Sequence, residues 1–364
     1  AGRPLLAAAA LALPLGISFY SFEAISYLMD VRQGRVGKTS FTDLCLFVVF
    51  WPHLIAGPIV RVRELIPQFQ FQKKFELARL TGGLDRLLWG LVQKNVVANS
   101  LGSWVDEGFI AKTAKLNSTV DNWFLAVAFG LQIYFDFNAY SNMAIGTAQI
   151  LGVKLPENFR MPYLAANPAD FWARWHMTLS RWIRDYLFFP ISTRFSERPI
   201  ALYASLIGVM ALVGLWHGAG WGFILWGTMH GVFLVLYRAL EGKLGASKLV
   251  ALAWRAFTLA AVAAAWIPFR AATVDQAVTM LRTMFLGFRF EISYSINFYL
   301  LTLLVMLFCA LEPFFGRLWT RIETAAANSP AANHYAVRPL VYASALLLFV
   351  IFDDLDTKFI YFQF

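Results

Sequence analysis

Apolar runs close to the length of a bilayer crossing recur along this chain, and they limit its architecture more than any other feature. A helix needs about 20 mostly apolar residues to cross the hydrocarbon. Such windows run over Leu5–Met29, Phe41–Val60, Trp123–Val153, Ile200–Trp216, Trp221–Tyr237, Leu249–Pro268, Ile296–Leu311 and Leu340–Phe352. A weaker window, Leu84–Leu101, is interrupted by Asp85, Arg86 and Lys94 and reads as a short or re-entrant helix. Eight to ten membrane segments are expected. Because backbone in lipid must satisfy its own hydrogen bonds, the predicted fold is all-α, a polytopic transmembrane helical domain.

Composition agrees. Hydrophobic residues make up 59% of the chain and charged residues 15%, which excludes an ordinary soluble domain of about half apolar and a quarter charged residues. The net charge of +9 would suggest nucleic acid in a soluble protein; here the positive-inside rule accounts for it, and no nucleic-acid partner is expected. Two basic clusters, Arg32/Arg35/Lys38 and Arg61/Arg63/Lys73/Lys74/Arg79, are placed on the cytoplasmic side. Cys45 and Cys309 lie singly in apolar segments, so no disulfide framework follows. With no internal repeat and no low-complexity linker, residues 1–364 read as one domain, with a surface loop near Ala325–His334.

The segment Asn158–Ser192 is too charged for an ordinary spanning helix. Asn167-Pro168 offers a helix start, and the pattern beyond it is helical. Asp170/Arg174 and Arg181/Asp185 are i,i+4 pairs, and Trp175 and Trp182, seven apart, would share a face. Either the helix lies on the membrane surface or it packs inside the protein and lines a polar cavity.

Histidine chemistry concentrates in LWHGAGWGFILWGTMHG, Leu215–Gly231. His217 and His230 are thirteen residues apart, about 20 Å along a continuous helix, and cannot share an ion unless the helix breaks at its glycines. No metal-ligand spacing is present, and no metal is expected. His230 and His53 fit a structural role, bonding a neighbouring carbonyl. His217 is different: Gly214, Gly218 and Gly220 allow close backbone approach that leaves room for a substrate, and Trp216 and Trp221 could wall a passage. Imidazole suits proton abstraction from a hydroxyl near neutral pH. There is no GxSxG elbow and so no Ser–His–Asp nucleophile; a lone base with a bound reactive donor is chemically sufficient for acyl transfer to an alcohol.

Ordered segments run along the chain: LPLGISFYSFEAISYLMDV, FWPHLIAGPIVR, YFDFNAYSNMAIG, ENFRMPYLAANPADFWARWHMTLSRWIRDYLFFPI, LWHGAGWGFILWGTMHG, WIPFRA and the terminal FIYFQF. In these segments and their order the chain resembles the membrane-bound O-acyltransferase (MBOAT) family, most closely its bacterial branch for alginate O-acetylation. The resemblance implies helices around a central funnel, and transfer of an acyl group from a cytoplasmic thioester to a hydroxyl. The family's WHG histidine falls on His217, the implied general base. Its RWH histidine falls on His176, and RWIRDY places Arg181, Arg184 and Asp185. Asp136 opens the segment matching the family's DFSGYSDMAIG; Asn138, Ala139 and Asn142 depart from that pattern, which weakens a catalytic role at position 142. His176, Asp136, Trp216, Arg181 and Asp185 are therefore expected to support the site.

The implied donor is acetyl-CoA or another acetyl thioester, with no bound cofactor. The implied acceptor is an extracytoplasmic exopolysaccharide such as alginate, or a periplasmic acetyltransferase partner that passes the acetyl group on. Peptidoglycan, cellulose or teichoic acid as acceptor, and a non-catalytic transporter, are the alternatives. The implied location is the bacterial inner membrane, as a multi-pass protein among membrane lipids. The chain opens at Ala1 directly into an apolar run without a signal-peptide pattern, so further N-terminal helices of this branch are expected to be missing.

Overall fold

A computed structural model describes residues 16–69, 74–195, 197–245, 247–327 and 337–352. Every regular element in them is helical, as the apolar pattern predicts. The first part of the Leu5–Met29 window, Lys73, His334 and the terminal FIYFQF lie outside the described residues.

In chain order the helices are α1 (Ile17–Arg32), α2 (Phe41–Val49), α3 (Trp51–Leu54), α4 (Val62–Phe69), α5 (Leu77–Val92), α6 (Asn99–Gly108), α7 (Ala111–Ala114), α8 (Thr119–Ile150), α9 (Pro168–Trp172), α10 (Met177–Trp182), α11 (Phe189–Ser192), α12 (Pro199–His217), α13 (Trp221–Leu240), α14 (Lys248–Arg270), α15 (Val274–Leu286), α16 (Ile296–Ala327) and α17 (Arg338–Phe352). Four of them, α12, α13, α14 and the Ile296–Ile322 part of α16, are long and apolar enough to cross a membrane.

Helix α8 is the axis. It is apolar on every side and buried along most of its 32 residues, the behaviour of a helix surrounded by others. A capping box starts it: Ser118 Oγ accepts from Asp121 N at 3.0 Å and Asp121 Oδ2 from Ser118 N at 2.8 Å. Helices α5, α6, α14, α15 and α16 pack around it. On the α5 side the backbones touch, since a Cβ added at Gly83 would lie 2.6 Å from Gly146 O, the small-residue contact typical of membrane helices.

Three windows depart from the predicted continuous helices. Phe41–Val60 breaks into α2, α3 and an extended stretch, because Pro52 has no N–H to donate and its ring clashes with the carbonyl four residues earlier. The weak Leu84–Leu101 window joins a longer path, α5 to α6, through a π-helical turn at Gln93–Ala98. The apolar run from Ile296 continues as α16 through Pro313 to Ala327, into the predicted surface loop.

The polar segment after Asn158 is not one helix either. It is α9, a left-handed residue at His176 (φ 41°), α10, a π-helical turn at Ile183–Phe188, and α11. Trp175 and Trp182 therefore do not share a face. Trp175 packs on Phe159, Trp266 and Phe171, whereas Trp182 packs on Phe22 and Tyr186. The expected Arg181–Asp185 pair does not form. The π turn changes the register within that spacing, and Arg61 takes Asp185 at 2.6 Å.

Candidate active site

Two breaks in helical structure position the two central histidines. His217 is the last residue of α12; Gly218 is extended (φ 176°), and the chain returns as α13. The hairpin closes tightly, because a Cβ on Gly214 would sit 2.1 Å from Phe223 O and one on Gly227 2.1 Å from Met210 O. The glycine space serves helix–helix contact, rather than the room for substrate expected from sequence. The break also corrects the separation of His217 and His230. Both rings pack on Trp226, with centroids 5.2 and 5.0 Å away, so a single indole lies between them. Among the described residues no group of His, Cys, Asp and Glu could hold a metal ion.

His176 sits at the α9–α10 break, and Asn158 holds it there. Met177 N donates to Asn158 O at 2.8 Å, while His176 Nδ1 and Thr178 Oγ1 lie 2.9 and 2.8 Å from Asn158 Oδ1. Thr178 Oγ1 also accepts from Ile59 N at 3.1 Å, which ties the turn to the extended stretch after α3.

His176 and His217 line one small cavity, walled otherwise by Ile133, Phe137, Trp175, Trp226, Trp266 and Phe269. At about 20 Å³ it has room for roughly one water or one hydroxyl group. Trp226 is 1% exposed, and its Nε1 has no hydrogen-bond partner among the described residues; the same holds for Nε2 of His176, which is 2% exposed. A proton acceptor and an indole donor beside an apolar void are the parts a hydroxyl–carbonyl reaction needs.

The other expected site residues lie around this cavity or away from it. Trp216 packs on His217 (4.6 Å) and Phe22 (5.1 Å), joining the site to α1. Trp221, expected as a wall, is 75% exposed; Trp226 takes that place. Asp136 is not on the cavity wall; it pairs with Lys94 at 2.5 Å, both nearly buried. Arg181 and Arg184 line a different and wider cleft of about 500 Å³, between α9, α10 and the π-helical turn on one side and the α12–α13 hairpin on the other, with Arg238 also on its wall. Trp172 lines that cleft and packs against Trp226 at 6.0 Å, so indoles separate it from the histidine cavity.

The charges beside the cleft are set by their neighbours. Burial raises the Asp170 carboxyl, but Arg174 at 2.8 Å and the Ala166 amide outweigh it and leave it below the ordinary carboxylate value. Asp185 behaves in the same way: Arg184 and Arg61 overcome the burial. His230 is buried, stacked on Phe171 (6.0 Å) and edge-on to Trp172 (5.1 Å). His53 lies between Glu23 (2.9 Å) and Phe47 O (3.2 Å), in line with the structural role expected of it.

Residues 9–268 match the profile of MBOAT, the membrane-bound O-acyltransferase family. The chain belongs to the membrane-bound O-acyltransferase family. It is thus a membrane protein of a helical family, in agreement with its long apolar helices. It is 40% identical over 274 residues to probable alginate O-acetylase AlgI of Azotobacter vinelandii, covering 75% of this chain and 54% of that protein. It is 36% identical over 328 residues to the protein of the same name from Pseudomonas aeruginosa, covering 87% and 62%. It is 37% identical over 304 residues to peptidoglycan O-acetyltransferase of Helicobacter pylori, covering 75% and 57%. The chain thus spans little more than half the length of the curated relatives it matches.

Sequence reasoning singled out both cavity histidines but missed Asn158, Thr178, Trp226, Trp266 and Phe269. Each lies inside or beside a segment that carried the resemblance. Their shared cavity arises from helix breaks and long-range packing, which have no period in the sequence.

Proposed function

We propose that this MBOAT protein is an O-acetyltransferase that moves an acetyl group from a cytoplasmic thioester to a hydroxyl of an extracytoplasmic polysaccharide. The observation that carries the reading is the placement of His176 and His217 on the wall of one small aromatic cavity. His217 takes the proton of the acceptor hydroxyl as its oxygen attacks the thioester carbonyl. The new O–C bond forms, the C–S bond breaks, and the His217 imidazolium returns the proton to the departing thiolate. Trp226 Nε1–H is the donor we assign to the carbonyl oxygen as negative charge develops there.

Acetyl-CoA or another acetyl thioester would serve as donor, held in the cleft lined by Arg181, Arg184 and Arg238, with its thioester end passing the Trp172–Trp226 contact that divides the cleft from the histidine cavity. Arg61 of the basic cluster reaches Asp185 beside that cleft, which favours a cytoplasmic mouth under the positive-inside rule. Trp216, Asp136 and Asp185 would act as supports. Residues 1–364 would act as one multi-pass domain in the bacterial inner membrane, handing acetyl groups to the sugar or to a periplasmic acetyltransferase. Alginate is the first acceptor to test and peptidoglycan the second, because relatives carrying both names match at similar identity.

The experiment is thioester consumption by protein purified in detergent, with alginate or peptidoglycan fragments as acceptor. Acceptor-dependent release of free thiol, with acetyl ester on the sugar, is the expected result. No turnover of any acetyl thioester by folded protein, with or without a periplasmic partner, would remove the reading.

A further inference from the structure

We infer that Asn158 is a positioning residue that fixes the tautomer of His176, so that the ring offers the cavity a bare Nε2 lone pair and never, while neutral, an N–H. The starting point is which end of the Asn158 amide faces the histidine. Thr178 N–H lies 3.4 Å from Oδ1, and an amide N–H needs an acceptor. The Thr178 hydroxyl, which accepts from Ile59 N, donates its own proton to Asn158 Oδ1 at 2.8 Å. At the other end of the amide, Asn158 Nδ2 donates to Ser141 Oγ at 3.1 Å. The oxygen of Asn158 therefore faces His176. An amide oxygen only accepts, so Nδ1 of His176 carries the proton in the 2.9 Å contact.

A neutral imidazole has one N–H, and here Nδ1 holds it. Nε2 is left as an acceptor, buried and without a hydrogen-bond partner among the described residues, on a ring that lines the cavity. The turn supports the same arrangement. His176 is one of two non-glycine residues at positive φ among the described residues, a strained conformation that persists where the surroundings hold it. Asn158 holds the two residues that follow the turn, through its carbonyl to Met177 N and its side chain to Thr178. Asn158, Ser141 and Thr178 are at most 3% exposed, so solvent does not compete.

The consequence for transfer rests on the function proposed above. His176 can receive a hydrogen bond from the acceptor hydroxyl or from the His217 imidazolium, but cannot donate one to the thioester carbonyl. The two histidines then differ in role although they share a wall. His217 is the titratable side chain acting on His176, which is otherwise enclosed by Phe137, Phe159 and Asn158.

The test is ¹⁵N NMR of protein labelled only in histidine, with the His176 signals assigned by their loss in His176→Gln. The expected wild-type spectrum shows a protonated Nδ1 and a pyridine-like Nε2; the opposite tautomer overturns the inference. In Asn158→Asp the carboxylate keeps the Nδ1–H contact and favours the imidazolium. Acetyl transfer by that variant should fall at neutral pH and recover at higher pH, its profile shifted by about one pH unit or more. A wild-type pH profile in folded Asn158→Asp counts against the positioning role. Thr178→Val, which keeps Asn158, should retain the tautomer; loss of the tautomer there would transfer the role to Thr178. The NMR measurement needs no turnover. A protonated Nδ1 in a protein that consumes no thioester would sustain the positioning of His176 while defeating the transferase reading.

Discussion

His176 and His217 reach the same cavity from different parts of the chain, one from the break between α9 and α10 and the other from the end of α12. Neither lies in the interior of a helix. Each sits where the backbone leaves the helix, and the aromatic side chains of α8, α13 and α14 close the space between them.

Replacing His217 with Ala should reduce acetyl transfer by about 10²–10⁴, the usual worth of a positioned base, while the protein still accumulates in the membrane. His230→Ala should act in the opposite sense, lowering folded yield but not turnover per folded molecule. Quantifying polysaccharide acetyl ester against membrane protein level separates the two. Near wild-type turnover in folded His217→Ala would transfer the base role to His176.

Trp226→Phe keeps most of the ring and deletes the indole donor. If that N–H serves the carbonyl oxygen, kcat should fall by about 10²-fold with KM little changed. A variant that loses stability but turns over normally would make Trp226 a packing residue alone.

The Lys94–Asp136 pair connects the π turn after α5 with α8, at 9% and 3% side-chain exposure. Asp136→Ala removes this carboxylate from a nearly buried ammonium and should destabilise the protein by about 3–5 kcal/mol. The double variant Lys94→Met/Asp136→Leu should regain folded yield in detergent. If it also regains transfer, Asp136 supports the structure and not the chemistry.

Asp185 receives Arg61 and Arg184, and its carboxyl lies below the ordinary value. A lowered carboxylate contributes stability above its unfolded value, and that contribution is lost as pH falls through the folded one. Asp185→Asn should therefore lower the detergent melting temperature at neutral pH and flatten its decline below roughly pH 4. An unchanged melting curve would make the pair energetically silent.

The sequence by itself determined the membrane class and the identity of the two cavity histidines. Apolar windows of bilayer length leave only helices possible, and the family resemblance of the WHG and RWH segments points to His217 and His176. Tertiary structure decided the rest. Asn158 meets His176 because a left-handed residue turns the chain back; Arg61 captures Asp185 across the fold because a π turn takes Arg181 out of register; Trp226 lies beside His217 because α12 and α13 fold into a glycine-packed hairpin. Periodicity encodes which face of a continuous helix is buried. It carries no record of where a helix breaks or what another segment brings to the break, and in this protein the cavity is built at those breaks.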